Sequence, residues 1–234
     1  MYPLSLLSFQ AVCNNLSLKR TALSNLDPVM EYLHQQNFHC EKSKCDWEIE
    51  NQSSAQQKSL NQIFNKNIKP KKQHELQRMS ETCSLISSVT GCQTVVDVGA
   101  GVGHLSRHLS FRHGLNVICL ECQSEFSNQA EKLDVQHVKS LSKLGLAIGP
   151  LPKHVTLTLN PDTTNLKVLI DDKLGCQCVP EFGLVGLHTC GDLGPTLIRN
   201  FVNVPEIKFI LAIGCCYMKM NFEPYYNSVY IKTN

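Results

Sequence analysis

The chain has 234 residues, which is enough for one medium-sized domain and an extension. With 42% apolar and 18% charged residues its composition is that of a globular protein, and a net charge of +2 points to no particular class of partner. No apolar run is long enough to cross a bilayer, so the sequence predicts no membrane partner.

The 12 cysteines are many for this length. Several stand inside apolar, strand-like runs, as Cys119 does in NVICLEC and as Cys215 and Cys216 do in FILAIGCCY. Cysteines in such runs behave as small apolar side chains rather than as disulfide partners at turns. We therefore expect a reducing compartment, either the cytoplasm or the nucleus. The opening MYPLSLLSFQAVC lacks a basic n-region and is interpreted as a helix face rather than a signal peptide.

Residues 1–68 are predicted to form an accessory segment. Within it, SNLDPVMEYLHQQNF has the features of a short helix, with Asp27 near its N-cap and Pro28 at its first position. The following CEKSKCDWEIENQSSAQQKSLNQ is polar and rich in Ser, Gln and Asn, which is typical of a loop or a partly disordered linker. We expect the main domain to occupy residues 69–234.

Strand-like and helix-like patterns alternate through that domain. PKKQHELQRMSETCSLISSV repeats apolar residues at steps of three and four, which predicts an amphipathic helix ending near Gly91. The predicted strands are TVVDVG, NVICLEC, VTLTLN, FGLVGLH and EIKFILAIGCC, with helical patterns in VGHLSRHLSFRHG, EFSNQAEKLDVQHV and DLGPTLIRNFV. This order is typical of an α/β protein with a doubly wound, mostly parallel sheet. Residues 139–153 and 161–182 have weaker patterns and are predicted to be loops.

Three glycines in five residues follow the first predicted strand, in TVVDVGAGVGHLSRHL. Ligands of such sheets bind at the carboxyl ends of the strands. Gly99, Gly101 and Gly103 let the chain bend tightly there and let a ligand approach the main chain. The helix that follows directs its positive N-terminus to the same place. A tight turn without a ligand is the simpler alternative.

Two acids favour a ligand over that alternative. Asp97 lies inside the strand, where a carboxylate is costly to bury without a partner. Glu121 ends the next strand, NVICLE, at the position where an acid holds the hydroxyls of a ribose; a solvated acid is the alternative. The dinucleotide fingerprint G-x-G-x-x-G fails because its sixth position is His104 or Ser106, and the phosphate loop G-x-x-x-x-G-K-[ST] is absent.

The pattern DVGAGVGHL resembles the first motif of class I S-adenosylmethionine-dependent methyltransferases. The resemblance implies that S-adenosylmethionine is the cofactor, that the turn Gly99–Gly103, with Ala100, packs against its amino-acid part, and that Glu121 holds its ribose. It also implies that Asp97 organises the turn near the methionine amino group. Asp162, in LTLNPDTT, is expected to end the third strand and to reach the adenine amino group.

Three further stretches extend the resemblance: KPKKQHELQRMS, GLHTCGDL and IGCCYMKM. Together with the glycine turn, and in this order, they resemble the methyltransferase-like protein 25 family from about residue 68 to residue 220. The resemblance implies transfer of a methyl group to an unidentified acceptor, which is an RNA, a protein or a small molecule. No strong nucleic-acid signature accompanies these motifs.

The candidates for the acceptor side follow the fourth and fifth predicted strands. Methyltransferases of nucleobase amines usually carry [ND]-P-P-[YF] after the fourth strand, whereas this chain has GLHTCGDL, which argues against such an acceptor. We expect His188 to act as a base and Asp192 to bind or orient a substrate proton. Alternatively, His188 packs at the strand end and Asp192 caps the next helix. Tyr217 is expected to stack on a planar substrate or else to complete the core.

Lys72 and His74 lie in the basic start of the first helix of the domain. They are expected to contact the substrate or to cap the cofactor pocket, and a solvated helix end is the alternative. No second C-x2-C pair stands at zinc-finger spacing, so no metal is assigned. A metal among His188, Cys190, Cys215 and Cys216 is conceivable, because the strand tips that carry them would be neighbours.

A class I methyltransferase sheet has seven strands, and this sequence ends in FEPYYNSVYIKTN soon after the fifth. We therefore expect a shortened chain that lacks the last two strands and keeps the cofactor half. A catalytically inactive binding or regulatory module is the first alternative. A zinc-bound nucleic-acid module is the second.

Overall fold

The computed structural model describes residues 54–146, 148–175 and 181–220. The helix predicted around Pro28, the start of the predicted linker and the tail FEPYYNSVYIKTN lie outside the described residues. The expected shortening of the sheet concerns that tail, and it stays a prediction. So does the domain boundary at residue 69.

Five parallel strands form the centre of the fold. They are β1 (Thr94–Val98), β2 (Asn116–Glu121), β3 (Lys153–Thr156), β4 (Phe182–Leu187) and β5 (Ile207–Ile213). Their order across the sheet is β3-β2-β1-β4-β5, and every neighbouring pair is parallel. Strand β1 is central, with Val96 opposite Ile118 on one side and Leu184 on the other. The order reverses at β1, so the predicted doubly wound α/β fold is confirmed.

Six α-helices of the described residues connect and cover the strands. They are α1 (Ser54–Asn65), α2 (Pro70–Thr90), α3 (His104–Arg107), α4 (Ser124–Lys143), α5 (Leu166–Leu174) and α6 (Leu193–Asn203). A π-helical turn, His108–Arg112, continues α3, and a short 3₁₀ turn, Tyr217–Lys219, follows β5. Helix α2 begins at Pro70 and ends where Gly91 takes the left-handed conformation, with φ of 68°. Its predicted C-cap is therefore confirmed.

The sheet has an apolar core on each face because successive side chains of a strand point to opposite sides. On one face Val95, Val117 and Val185 pack with residues of α2 such as Leu76 and Met79. On the other face Val96, Ile118 and Leu184 pack with residues of α5 and α6: Leu166, Ile170 and Leu197. Strand β1 is thereby buried on both faces, and the carboxyl ends of the strands meet at one edge of the sheet.

Four of the sequence-based assignments are wrong, in whole or in part, in this region. The predicted linker is helical from Ser54, and α1 packs Leu60 and Phe64 against Phe111 and Leu141. The predicted loop 161–182 contains α5, and the predicted loop 139–153 begins with the last turn of α4. The predicted third strand was placed at VTLTLN, but β3 runs over Lys153–Thr156. It ends there because Thr156 pairs with Glu121, the last residue of β2.

Candidate functional site

The glycine turn lies at the carboxyl end of β1 and is tied to β2. Gly99, Gly101 and Gly103 have φ values of 72°, 57° and 75°, which glycine adopts at little steric cost. The N–H groups of Gly99 and Ala100 donate to the carbonyl oxygen of Leu120 at 2.9 and 3.1 Å. A Cβ atom built on Gly101 would meet no heavy atom within 4 Å. The turn therefore leaves open space beside its main chain at Gly101.

Glu121 places its carboxylate against that turn. The side chain is buried, and Oε2 accepts a hydrogen bond from the N–H of Gly101 at 2.9 Å. Oε1 accepts from the N–H of Gln123 at 3.0 Å and from the thiol of Cys122 at 3.3 Å. Two carboxylate oxygens offer roughly four acceptor positions, so these donors leave room for a hydroxyl. Glu121, at the end of β2, and the glycine turn after β1 thus form one wall of the candidate cofactor site.

Asp97 is 1% exposed and lies beneath the same turn. Its Oδ2 accepts a hydrogen bond from the hydroxyl of Ser106 at 2.6 Å, which joins β1 to α3. Burial raises the pKa of Asp97 to about 6, and the Ser106 hydrogen bond opposes that rise. Asp97 thus ties β1 to the helix that follows the turn, and its expected role in organising the turn stays a prediction.

His188 takes a left-handed backbone conformation just beyond β4. Its φ is 71°, and its N–H donates to the carbonyl oxygen of Ile213 at 2.8 Å. The imidazole Nε2 lies 3.4 Å from Oε2 of Glu75 in α2, at an exposed position. Both residues line a cleft of about 410 Å³, to which His74 and Cys215 also contribute. The structure thus brings His188 and His74 of the predicted acceptor side together.

The remaining acceptor-side candidates are Asp192, Lys72 and Tyr217, and they lie on three different elements. Asp192 takes the N-cap position of α6, where the capping alternative places it, although its side chain makes no cap hydrogen bond. Helix α2 contributes Lys71 rather than Lys72 to the cleft, and Lys72 is exposed. Tyr217 begins the 3₁₀ turn after β5, and its stacking role stays a prediction.

Asp162 does not end the third strand. It lies in an exposed turn, six residues beyond the last residue of β3. The cavity beside it is lined by residues between Leu157 and Leu169 and does not include the glycine turn. The expected contact of Asp162 with an adenine rested on the longer strand, so it loses its structural basis.

Residues 71–223 match the family model of a methyltransferase domain. The chain belongs to this methyltransferase domain family. The cofactor predicted from the glycine turn, S-adenosylmethionine, agrees with that membership. Over 40 residues the chain is 48% identical to probable methyltransferase-like protein 25 of Mus musculus and 50% identical to that of Homo sapiens. Each match covers 17% of this chain and 7% of the relative, a small part of those proteins.

Solved methyltransferase structures resemble the chain more distantly. Magnesium protoporphyrin IX methyltransferase from Synechocystis PCC 6803, with bound SAH (S-adenosylhomocysteine), is 16% identical, with 65% of this chain and 64% of that chain covered and a TM-score of 0.37. An SAH-bound methyltransferase from Podospora anserina is 14% identical, with 91% and 84% covered and a TM-score of 0.39. Likeness at this level adds nothing about the acceptor. Among the described residues of this methyltransferase domain, no helix is both long and apolar enough to cross a membrane.

A buried polar network supports the glycine turn of the methyltransferase domain and was not predicted. Arg107 of α3 is 1% exposed, and its Nη1 lies 2.9 Å from Oδ1 of Asp134 in α4. The other carboxylate oxygen of Asp134 lies 2.7 Å from Nε2 of His154 in β3. Arg107 also donates to the carbonyl oxygen of Val102, within the turn, at 2.7 Å. No local signal marks these residues, because only the strand order brings the three elements together.

Three thiols meet beyond β4 and β5 of the methyltransferase domain. The Sγ atoms of Cys190 and Cys215 are 3.1 Å apart, and those of Cys215 and Cys216 are 3.6 Å apart. All three Sγ atoms lie within 4.8 Å of one another. The sequence placed His188 beside them, but in the structure its imidazole faces Glu75 instead. We name Cys190, Cys215 and Cys216 the thiol cluster.

Proposed function

We propose that the chain binds S-adenosylmethionine at the glycine turn and transfers its methyl group to an acceptor. Membership of the methyltransferase domain family supports the reaction class. The observation that carries the proposal is the Glu121 carboxylate, which lies 2.9 Å from the N–H of Gly101 beside open space. This arrangement fits a nucleoside that contacts the main chain and whose ribose hydroxyls donate hydrogen bonds to the Glu121 carboxylate.

The residues of the turn fit the chemical groups of that cofactor. The ribose hydroxyls would donate to the acceptor positions that Gly101, Gln123 and Cys122 leave free on Glu121. Asp97 would favour the methionine ammonium group when its carboxyl is ionised. The network of Arg107, Asp134 and His154 would keep the turn in place without contacting the cofactor.

When bound, S-adenosylmethionine supplies both the methyl group and its leaving group, a neutral thioether. The chain must then place the acceptor in line with the bond that breaks and exclude water. A base is needed only for an acceptor that has to lose a proton before it attacks. His188 is the base that we propose, because it lines the acceptor cleft and Glu75 lies 3.4 Å from its imidazole.

The acceptor side is proposed to be the cleft between α2 and the ends of β4 and β5. His74, Glu75 and His188 supply its polar groups, while Leu187 and Leu211 supply apolar surface. Lys72 and Asp192 are not among the residues that line this cleft, and their substrate contacts, like that of Tyr217, stay predictions. The likeness to methyltransferase-like protein 25 covers 40 residues and leaves the acceptor, an RNA, a protein or a small molecule, unidentified.

Calorimetric titration of the full chain with S-adenosylmethionine tests the proposal. We expect Gly101→Arg to abolish binding, because a side chain would enter the open space and the left-handed backbone would be strained. We expect Glu121→Ala to weaken binding roughly tenfold to a hundredfold, which is typical of a lost hydrogen bond to a charged group.

Matched controls separate these effects from general damage. Gly145→Arg introduces the same side chain at another left-handed glycine with open surroundings, just after the C-cap of α4, and should bind normally. Glu125→Ala removes an exposed acid from the first turn of α4 and should also bind normally. Wild-type chain that does not bind at millimolar cofactor would refute the proposal, as would a Gly101→Arg chain that binds as tightly as Gly145→Arg.

A further inference from the structure

We propose that the thiol cluster, Cys190, Cys215 and Cys216, is a zinc site. Its members follow β4 and β5, which pair in parallel so that their carboxyl ends are neighbours. Cys190 comes three residues after the end of β4, and Cys215 comes two residues after the end of β5. The site goes beyond methyl transfer and does not depend on cofactor binding.

The sulfur positions suit a tetrahedral zinc ion. Zinc binds thiolates at about 2.3 Å, so two sulfur ligands of one ion lie about 3.8 Å apart. The two shorter distances in the cluster are 3.1 and 3.6 Å, and the third is within 4.8 Å. Each sulfur separation is therefore within about 1 Å of the value that a tetrahedral zinc ion requires.

The main chain holds the three cysteines in place without a metal. The N–H of His188 bonds to the carbonyl oxygen of Ile213 at 2.8 Å, and the N–H of Cys215 points to Sγ of Cys190 at 3.4 Å. A Cβ on Gly191 would lie 3.1 Å from the carbonyl oxygen of Lys219, so the two turns pack closely. A preformed arrangement lowers the entropy that metal binding must offset.

The donor set selects a thiophilic ion. Three thiolates suit zinc, whereas magnesium and calcium require oxygen ligands. In the part of the chain that the structure describes, no fourth histidine, cysteine or carboxylate group joins the cluster. Cys215 is exposed and borders the cleft beside His188, so an ion can enter from solvent. The fourth position is then open to water, as in zinc sites with three protein ligands.

The test uses the full chain, stripped with a chelator under reducing conditions and then titrated with Zn²⁺ alone. We expect one tightly bound zinc per chain after dialysis and a melting temperature that rises with zinc concentration. X-ray absorption at the zinc edge should show three sulfur ligands at about 2.3 Å and one lighter ligand at about 2.0 Å.

Single variants locate the ion within a chain that has 12 cysteines. Cys190→Ser, Cys215→Ser and Cys216→Ser should each weaken zinc binding at least tenfold, with unchanged circular dichroism. Cys122→Ser, which removes an exposed cysteine outside the cluster, is the matched control and should bind as wild type.

Three results would overturn the proposal. The first is wild-type protein with no stoichiometric zinc. The second is an X-ray absorption spectrum of the wild-type protein that shows fewer than three sulfur ligands at the zinc. This measurement does not depend on whether any variant folds. The third is zinc retained when all three cysteines are replaced. None of these measurements involves S-adenosylmethionine, so failure here is distinct from failure of the proposed methyl transfer.

Discussion

Asp97 is a buried acid whose ionisation couples the glycine turn to pH. Burial raises its pKa from 3.8 to about 6, so between these values the folded chain binds more protons at this residue than the unfolded chain does. The stability of the fold then falls as pH rises through that window. Above it the carboxylate is charged, and Ser106 donates to it at 2.6 Å.

Asp97→Asn should remove that pH dependence. From pH 4 to pH 7 the wild-type free energy of unfolding should fall relative to that of the variant by about 2 kcal/mol, since most of the interval between pKa 3.8 and about 6 lies in this pH range. Urea unfolding at a series of pH values measures this difference. Ser106→Ala removes the opposing hydrogen bond and should extend the window to higher pH. Parallel pH profiles for wild type and Asp97→Asn would contradict the assignment.

The network of Arg107, Asp134 and His154 joins α3, α4 and β3, so it stabilises the packing of three secondary-structure elements. Asp134→Ala should destabilise the fold by about 3 to 5 kcal/mol, because it leaves the buried guanidinium without its partner. Urea unfolding at constant pH measures the loss. The control is Glu181→Gln, which breaks the exposed pair with Lys208 and should cost less than about 1 kcal/mol. Equal effects of the two substitutions would show that the buried network contributes no more than a surface pair.

The sequence predicted the elements whose signals are local. Strands β1, β2, β4 and β5 have β-branched and apolar runs next to a turn or a helix start, and the turn after β1 is marked by its glycines. Strand β3 was misplaced because VTLTLN alternates through Asn160, although pairing with β2 ends at Thr156. Helix α1 was missed because its apolar residues, Leu60, Ile63 and Phe64, are few, and its stability comes from tertiary contacts.

The residues of the candidate site also fall into two groups: those that a local sequence pattern marks and those that only the folded arrangement brings together. The positions of Asp97, Glu121 and the glycines could be predicted, since each lies within or directly after a strand that the sequence marks. The salt-bridged network and the thiol cluster depend on which strands become neighbours. His188 illustrates this dependence: its position after β4 was predicted, but its contact with Glu75 of α2 requires the folded arrangement.

At the scale of the whole molecule, α1 packs against α4 and the π-helical turn. Phe64 is 3% exposed, and its ring centroid lies 4.8 Å from that of His108 in the π-helical turn. Phe64→Ala should therefore lower the free energy of unfolding by about 3 to 5 kcal/mol, as in a domain core. Gln62→Ala, at an exposed position on the same helix, should change it by less than about 0.5 kcal/mol. A Phe64→Ala chain that unfolds like Gln62→Ala in urea would support the boundary at residue 69.

The strand order also has a consequence for how the protein emerges from the ribosome. Strand β1 can pair with β2 early, but its second partner, β4, ends at Leu187. Until that residue has been translated, one edge of β1 has unpaired main-chain groups beside apolar side chains, a template for unwanted association. Slow translation between residues 122 and 187 would prolong this exposure.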